Sequence, residues 1–329
     1  MRSFLFPLIL IGIIFISGCT NQQLGNVTHE QWVVSEKLPT ETKTISLNPV
    51  DYTLEPITVD IPHKMIYEKV RWNSSTLTFY SKIKENSTLQ TIRDGVYTWN
   101  KEATDLIKFV EVDDAQKADF IIRYATSGEY EEKKTAAITV TLGEALLTTY
   151  NVGLFNLTTS AEMLYTPTTG DCENKITVIH ELGHVLGFAH VSDVRSVMFP
   201  QVDCSEKITD EMKQTLKNLY SVEALSDLYY GDVKVEKTGK YIVLNFTIWN
   251  RGLIKSENVT VEIKVNGNVT KTHELPSIDP GMGWMIPDVI YIEKEFDSLI
   301  LDIDSSNVLR ELDKKNNIIE NSSKNNEFN

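Results

Sequence analysis

The chain has 329 residues, 41% of them apolar, and a formal net charge of −14. That length suits two domains, and the apolar share excludes disorder throughout. The negative balance argues against nucleic acid as a partner.

Arg2 precedes an apolar run from Phe4 to Ile16, followed by Ser17, Gly18 and Cys19. The run is short for a membrane span and suits the apolar core of a signal peptide over residues 1–18. Ile16-Ser-Gly-Cys19 resembles a lipobox, which makes Cys19 the lipid anchor and the first mature residue. An ordinary signal peptide cut nearby is the alternative. Either version exports the protein, and the lipidated one holds it at the outer face of the membrane. Residues 19–62 are polar with scattered prolines and read as a tether, with a strand expected near Ile57 to Ile61.

A folded unit is expected over residues 63–227. Leu77-Thr-Phe79 alternates like a strand, and Ser87 is a suitable N-cap for a helix carrying Leu89, Ile92, Val96 and Trp99. Leu106 to Val112, Ala118 to Tyr124, Thr135 to Leu142 and Ala161 to Tyr165 read as further strands. A helix from about Thr209 to Tyr220, with Met212, Leu216 and Leu219 on one face, closes the unit.

The chemistry lies in the eleven residues from His180 to His190, which fit H-E-x-x-H-x-x-G-x-x-H. His180 and His184 stand four apart, so on a helix both imidazoles leave one face and can hold one metal ion. Gly187 lets the backbone leave the helix at positive φ, and the turn returns His190 as a third ligand. Three neutral nitrogens leave one tetrahedral position open, the design of a single catalytic zinc. Glu181, beside the first ligand, is placed to act on a water as general base without binding the metal. A buried apolar helix with hydrogen-bonded histidines is the competing interpretation.

Met198, in Ser196-Val-Met-Phe-Pro200, follows the third histidine by eight residues. With this second motif the segment resembles the metzincin zinc peptidases, and among them the matrixins. The resemblance implies an α+β catalytic domain with a twisted mixed sheet, long helices and a zinc cleft. It implies that Met198 forms an apolar floor under the three imidazoles. It also implies that the last strand before the active helix is the sheet edge, where a peptide substrate binds as an added antiparallel strand. Two departures stand out. No histidine lies between Leu77 and Ile179 to hold a structural zinc, and Val191 follows the third histidine where serine is usual. No cysteine between Cys19 and Cys172 is available to plug the zinc. Cys172 and Cys204 are left as a disulfide pair in an oxidising compartment.

From residue 228 to 320 the pattern turns all-β. Ile242, Leu244, Phe246 and Ile248 alternate with polar residues, as do Val259, Val261, Ile263 and Val265. Asn266-Gly267 marks a hairpin, Asp279-Pro-Gly281 another turn, and Leu299, Leu301 and Ile303 a further strand. These predict an Ig-like sandwich. Trp249-Asn-Arg-Gly252 and Leu301-Asp-Ile-Asp304, leading to Glu311 and Asn316-Asn317, resemble CARDB-type surface domains, which implies a surface ligand. Asp302, Asp304, Glu311 and Asp313 are candidates for Ca²⁺, against the simpler interpretation of solvated acids. Residues 321–329 are polar and read as a disordered tail. Eight N-x-S/T sequons, Asn156, Asn245 and Asn258 among them, are compatible with a glycosylated exterior.

Two functions follow. One is a lipid-anchored zinc endopeptidase acting on peptide or protein substrates with Glu181 as general base. The other is a surface adhesion lipoprotein whose peptidase-like domain is inactive.

Overall fold

A computed structural model describes residues 12–16, 43–45, 69–126, 143–153, 155–293 and 297–322. The expected strands at Ile57 to Ile61 and Thr135 to Leu142 lie outside these residues, as do Cys19 and positions 323–329.

The first unit is a sheet backed by two helices. Its strands are β3 (Val70–Trp72), β4 (Thr76–Ser81), β5 (Lys108–Glu111), β6 (Phe120–Tyr124), β7 (Gly143–Val152) and β8 (Phe155–Tyr165). A short strand β1 (Gly12–Ile16) joins them in the order β1-β7-β8-β6-β4-β5, and β3 pairs with β8. Strands β5, β4, β6 and β8 run parallel, whereas β7 returns antiparallel to β8. The parallel strands need crossovers. Helix α1 (Asn86–Glu102) supplies the one between β4 and β5.

Helix α1 begins one residue before the expected cap. Its N-cap is Glu85, whose carboxylate accepts from Ser87 Oγ at 2.9 Å, so Ser87 supports the first turn from inside it. The sheet edge also differs from expectation. The last strand before the active helix, β8, lies inside the sheet between β7 and β6, so β7 lies outside it, with β1 along the far side of β7. The β7–β8 hairpin causes this: a strand joined by a tight turn pairs with its neighbour and pushes itself outward.

Helices α2 (Asp171–Val185) and α3 (Asp210–Tyr220) complete the unit. Thr209 caps α3 by accepting from Met212 N at 3.3 Å, as its side chain allows. Val178, Leu182 and Val185 of α2 are fully buried, with Trp99 of α1 and Leu216 and Leu219 of α3 in the same core. Arg71 is a buried cation in this unit. Its guanidinium donates to Leu219 O at 2.8 Å and Val222 O at 3.0 Å, tying the end of α3 to β3.

The second unit is a two-sheet antiparallel sandwich. One sheet orders β13 (Gly283–Tyr291), β10 (Tyr241–Asn250), β9 (Leu228–Thr238) and β2 (Lys43–Ile45). The other orders β12 (Asn268–Leu275), β11 (Val259–Val265), β14 (Ser298–Ile303) and β15 (Ile318–Ser322). The alternation read from sequence decides the inward face: Ile242, Leu244, Phe246 and Ile248 are at most 1% exposed. Two sequence expectations change. Strand β2 draws part of the tether into the sandwich, and β15 extends to Ser322, so 321 and 322 are strand and not tail.

Candidate metal centre

Helix α2 is apolar on nearly every side, so it sits centrally and carries its polar residues into the interior. His180, Glu181 and His184 are 7%, 4% and 2% exposed. Such burial of polar groups is costly unless each has a partner. Phe188 N bonds to Gly183 O at 3.0 Å, and Gly187 follows the helix with φ +92°, beyond the comfortable range of a residue with a Cβ. That reversal returns His190 to the helix face.

The three side chains converge. His190 Nε2 lies 3.1 Å from both His180 Nε2 and His184 Nε2. The opposite ring nitrogens are held by backbone carbonyls: His180 Nδ1 donates to Val197 O at 2.5 Å and His184 Nδ1 to Phe188 O at 2.7 Å. With Nδ1 as donor, each Nε2 presents a lone pair to the common point. Burial, with His190 adding to it, lowers the His180 pKa to about 4 against the opposite pull of the Val197 carbonyl. Burial first, and the two neighbouring imidazoles next, put His184 well below the ordinary value, and burial lowers His190. Neutral imidazoles with lone pairs gathered at one point fit a metal ion of zinc's preference. Among the described residues, these three form the only group of histidine, cysteine or acidic side chains close enough to hold one.

Glu181 points to the head of β7. A Cβ built on Gly143 would lie 2.4 Å from Glu181 Cγ and 2.5 Å from its Oε1, so the carboxyl occupies the space that a side chain there would fill. Met198 lies beneath the helix: a Cβ on Gly183 would be 2.3 Å from its Sδ. Its turn is closed by Phe199 N to Ser196 O at 2.9 Å and tied back by Val191 N to Met198 O at 3.0 Å. Cys172 and Cys204 are bonded, with Cα atoms 5.9 Å apart, linking the first turn of α2 to the segment beyond Met198.

The sequence motif misses three supports. Trp99 Nε1 donates to Ile179 O and Trp72 Nε1 to Val185 O, both at 2.8 Å, clamping α2 on either side of its histidines. Gly143 is the third. The tryptophans are visible in sequence only as apolar positions, since their partners lie 80 and 113 residues away. The four acids considered for Ca²⁺ do not gather. Asp302 meets Lys264, Asp304 accepts from Val308 N and Leu309 N, Glu311 from Leu228 N, and Asp313 from Lys315 N.

Comparison with known proteins follows the same division. Residues 67–221 match the family model of the matrixins, and residues 229–328 match that of CARDB. The chain joins a matrixin domain to a CARDB domain. A matrixin domain points to a zinc metallopeptidase acting on peptide or protein. No curated protein matches the chain. Among solved structures, the CARDB domain of a Pyrococcus furiosus protein, solved in complex with di-metal ions, is 20% identical. The likeness covers 30% of this chain and 88% of that one, with a TM-score of 0.27. A solution structure of the same domain matches at 20% identity over 30% and 94%, with a TM-score of 0.27. OgpA from Akkermansia muciniphila is 10% identical over 71% of this chain and 89% of its own, with a TM-score of 0.24.

Proposed function

We propose that the chain is a surface-anchored zinc endopeptidase with His180, His184 and His190 as zinc ligands and Glu181 as general base. The observation that carries this reading is the meeting of three Nε2 atoms at a helix that also buries a carboxylate, with His180 and His184 aimed by backbone carbonyls. A bound zinc supplies Lewis acidity toward a scissile carbonyl and an attacking water. Glu181 accepts the proton of that water and delivers it to the leaving amine. Met198 and the two tryptophans keep α2, and with it the imidazoles, in register.

Substrate is taken as a strand along β7. The pairing of β1 with β7, from Gly12 opposite Thr149 to Ile16 opposite Ala145, supports this edge as a surface for an extended chain. Gly143 at the head of β7 places such a chain beside Glu181. Residues 1–18 are proposed to be removed as a signal peptide and Cys19 to carry lipid, which vacates that edge at the outer face of the membrane. Among the described residues, no helix is long and apolar enough to cross a membrane. In the CARDB domain, Tyr241, Val243, Val289 and Tyr291 are exposed together on paired positions of β10 and β13, which supports a surface ligand for that domain. That surface also supports the second reading, adhesion without catalysis.

Metal analysis with a cleavage assay tests the proposal. The mature chain is expected to hold one zinc and to lose peptide cleavage on chelation. His184→Ala should lose both metal and cleavage, and a fully loaded, active variant would rule out this ligand set. A wild type that binds zinc and cleaves no member of a broad peptide library would favour adhesion.

A further inference from the structure

A groove of about 870 Å³ lies behind the active helix, between the start of α2, the end of α1 and the start of α3. Neither the three histidines nor Met198 lines it, so it is separate from the metal centre. The Cys172–Cys204 disulfide pins its walls together. Glu206 lines it and is 6% exposed, and neither carboxylate oxygen has a hydrogen-bond partner among the described residues.

We infer that this groove binds an organic cation, a guanidinium or primary ammonium group such as a basic peptide side chain carries, with the Glu206 carboxylate as its anchor. A buried carboxylate with both oxygens open is strongly penalised, and a donor group that fills both removes the penalty. The surroundings do not supply one. Of the four cations that line the groove, Arg195 is committed to Asp193 at 3.0 Å and Lys213 to Asp210 at 2.7 Å, and neither Lys175 nor Lys207 bonds the Glu206 carboxylate. Burial pushes the Glu206 pKa up to about 7; the Asp203 backbone N–H, outside hydrogen-bonding geometry, offsets part of this, and the Asp203 carboxylate adds to it. Asp203 is thus a like charge beside Glu206, and none of the lining cations is hydrogen-bonded to Glu206. A metal ion suits the groove less well, because no three acidic side chains meet there.

The groove lies apart from the proposed zinc ligands, so binding can be read there independently of cleavage. N-acetyl-arginine amide and its neutral isostere N-acetyl-citrulline amide are titrated by calorimetry into the mature zinc-loaded chain at pH 8. The arginine probe is expected to bind saturably, the citrulline probe at least tenfold more weakly, and Glu206→Gln to lose the difference. Equal binding of both probes by the wild type would overturn the site whatever the variant does. An arginine response unchanged in Glu206→Gln would overturn the anchor. A Ca²⁺ titration that saturates in wild type but not in the variant, without an arginine response, would overturn the ligand class.

Discussion

The two domains bury polar groups for different ends. In the matrixin domain the buried His180, Glu181 and His184 are carried by one helix, and the two histidines meet His190 at one point, the proposed zinc site. In the sandwich the core is a plain alternation of apolar side chains, and a cluster of buried polar groups lies where the domains meet. There Asp227 takes Arg251 at 2.8 Å and Asn316 Nδ2 at 2.8 Å, while Glu311 accepts from Leu228 N at 2.8 Å. Burial, only partly offset by Asn316 and Arg251, raises the Asp227 pKa, and burial likewise raises that of Glu311. One domain thus gathers buried polar side chains at the three-histidine site, and the other gathers a group of them at the joint.

Perturbing each centre tests that separation. The largest effect should come from Glu181→Ala, which removes the proposed proton acceptor and is expected to lower kcat/KM by about 10²–10⁴-fold. Zinc content should stay near wild type and the melting of the sandwich unchanged. Turnover at the wild-type level would refute the general-base assignment even with zinc bound. In the sandwich, Leu301 is fully buried, and Leu301→Ala should cost that domain about 2–5 kcal/mol in denaturant unfolding. Cleavage of a short peptide should not change, and a parallel loss of activity would show that the domains unfold as one.

Replacing Cys172 and Cys204 by serine should destabilise the matrixin domain by roughly 2–5 kcal/mol while leaving the sandwich transition in place. Mass mapping that finds two unbonded cysteines in exported wild-type protein would remove the basis for this prediction. The smallest effect is expected at the β11–β12 hairpin. Asn266 and Gly267 have φ of +51° and +80°, the two positive angles that a tight hairpin turn requires. A Cβ on Gly267 meets nothing within 4 Å, so Gly267→Ala should cost only the backbone strain of about 1–2 kcal/mol. A larger loss would mean that the turn bears on something beyond its own conformation.

Much of this division is legible in the sequence, and for a definite reason. The i, i+4 histidines, the glycine that reverses the chain and the two-residue alternation of β10 and β11 depend only on the geometry of a helix or strand. Neighbours along the chain therefore specify them. Elements whose position depends on distant partners were not fixed that way. The order of strands around β8 follows from which edges pair, so nothing within Ala161–Tyr165 reveals that β7 lies outside it. Trp72 and Trp99 read as ordinary core residues until their indole N–H groups meet the carbonyls of α2. Gly143 becomes informative only because Glu181 arrives against it from another part of the chain. Glu206 stands in a polar stretch of the sequence, and tertiary packing alone makes it a buried carboxylate. Local spacing determined which side chains share a face; long-range packing decided what each face meets, and so which of these groups had to give up water.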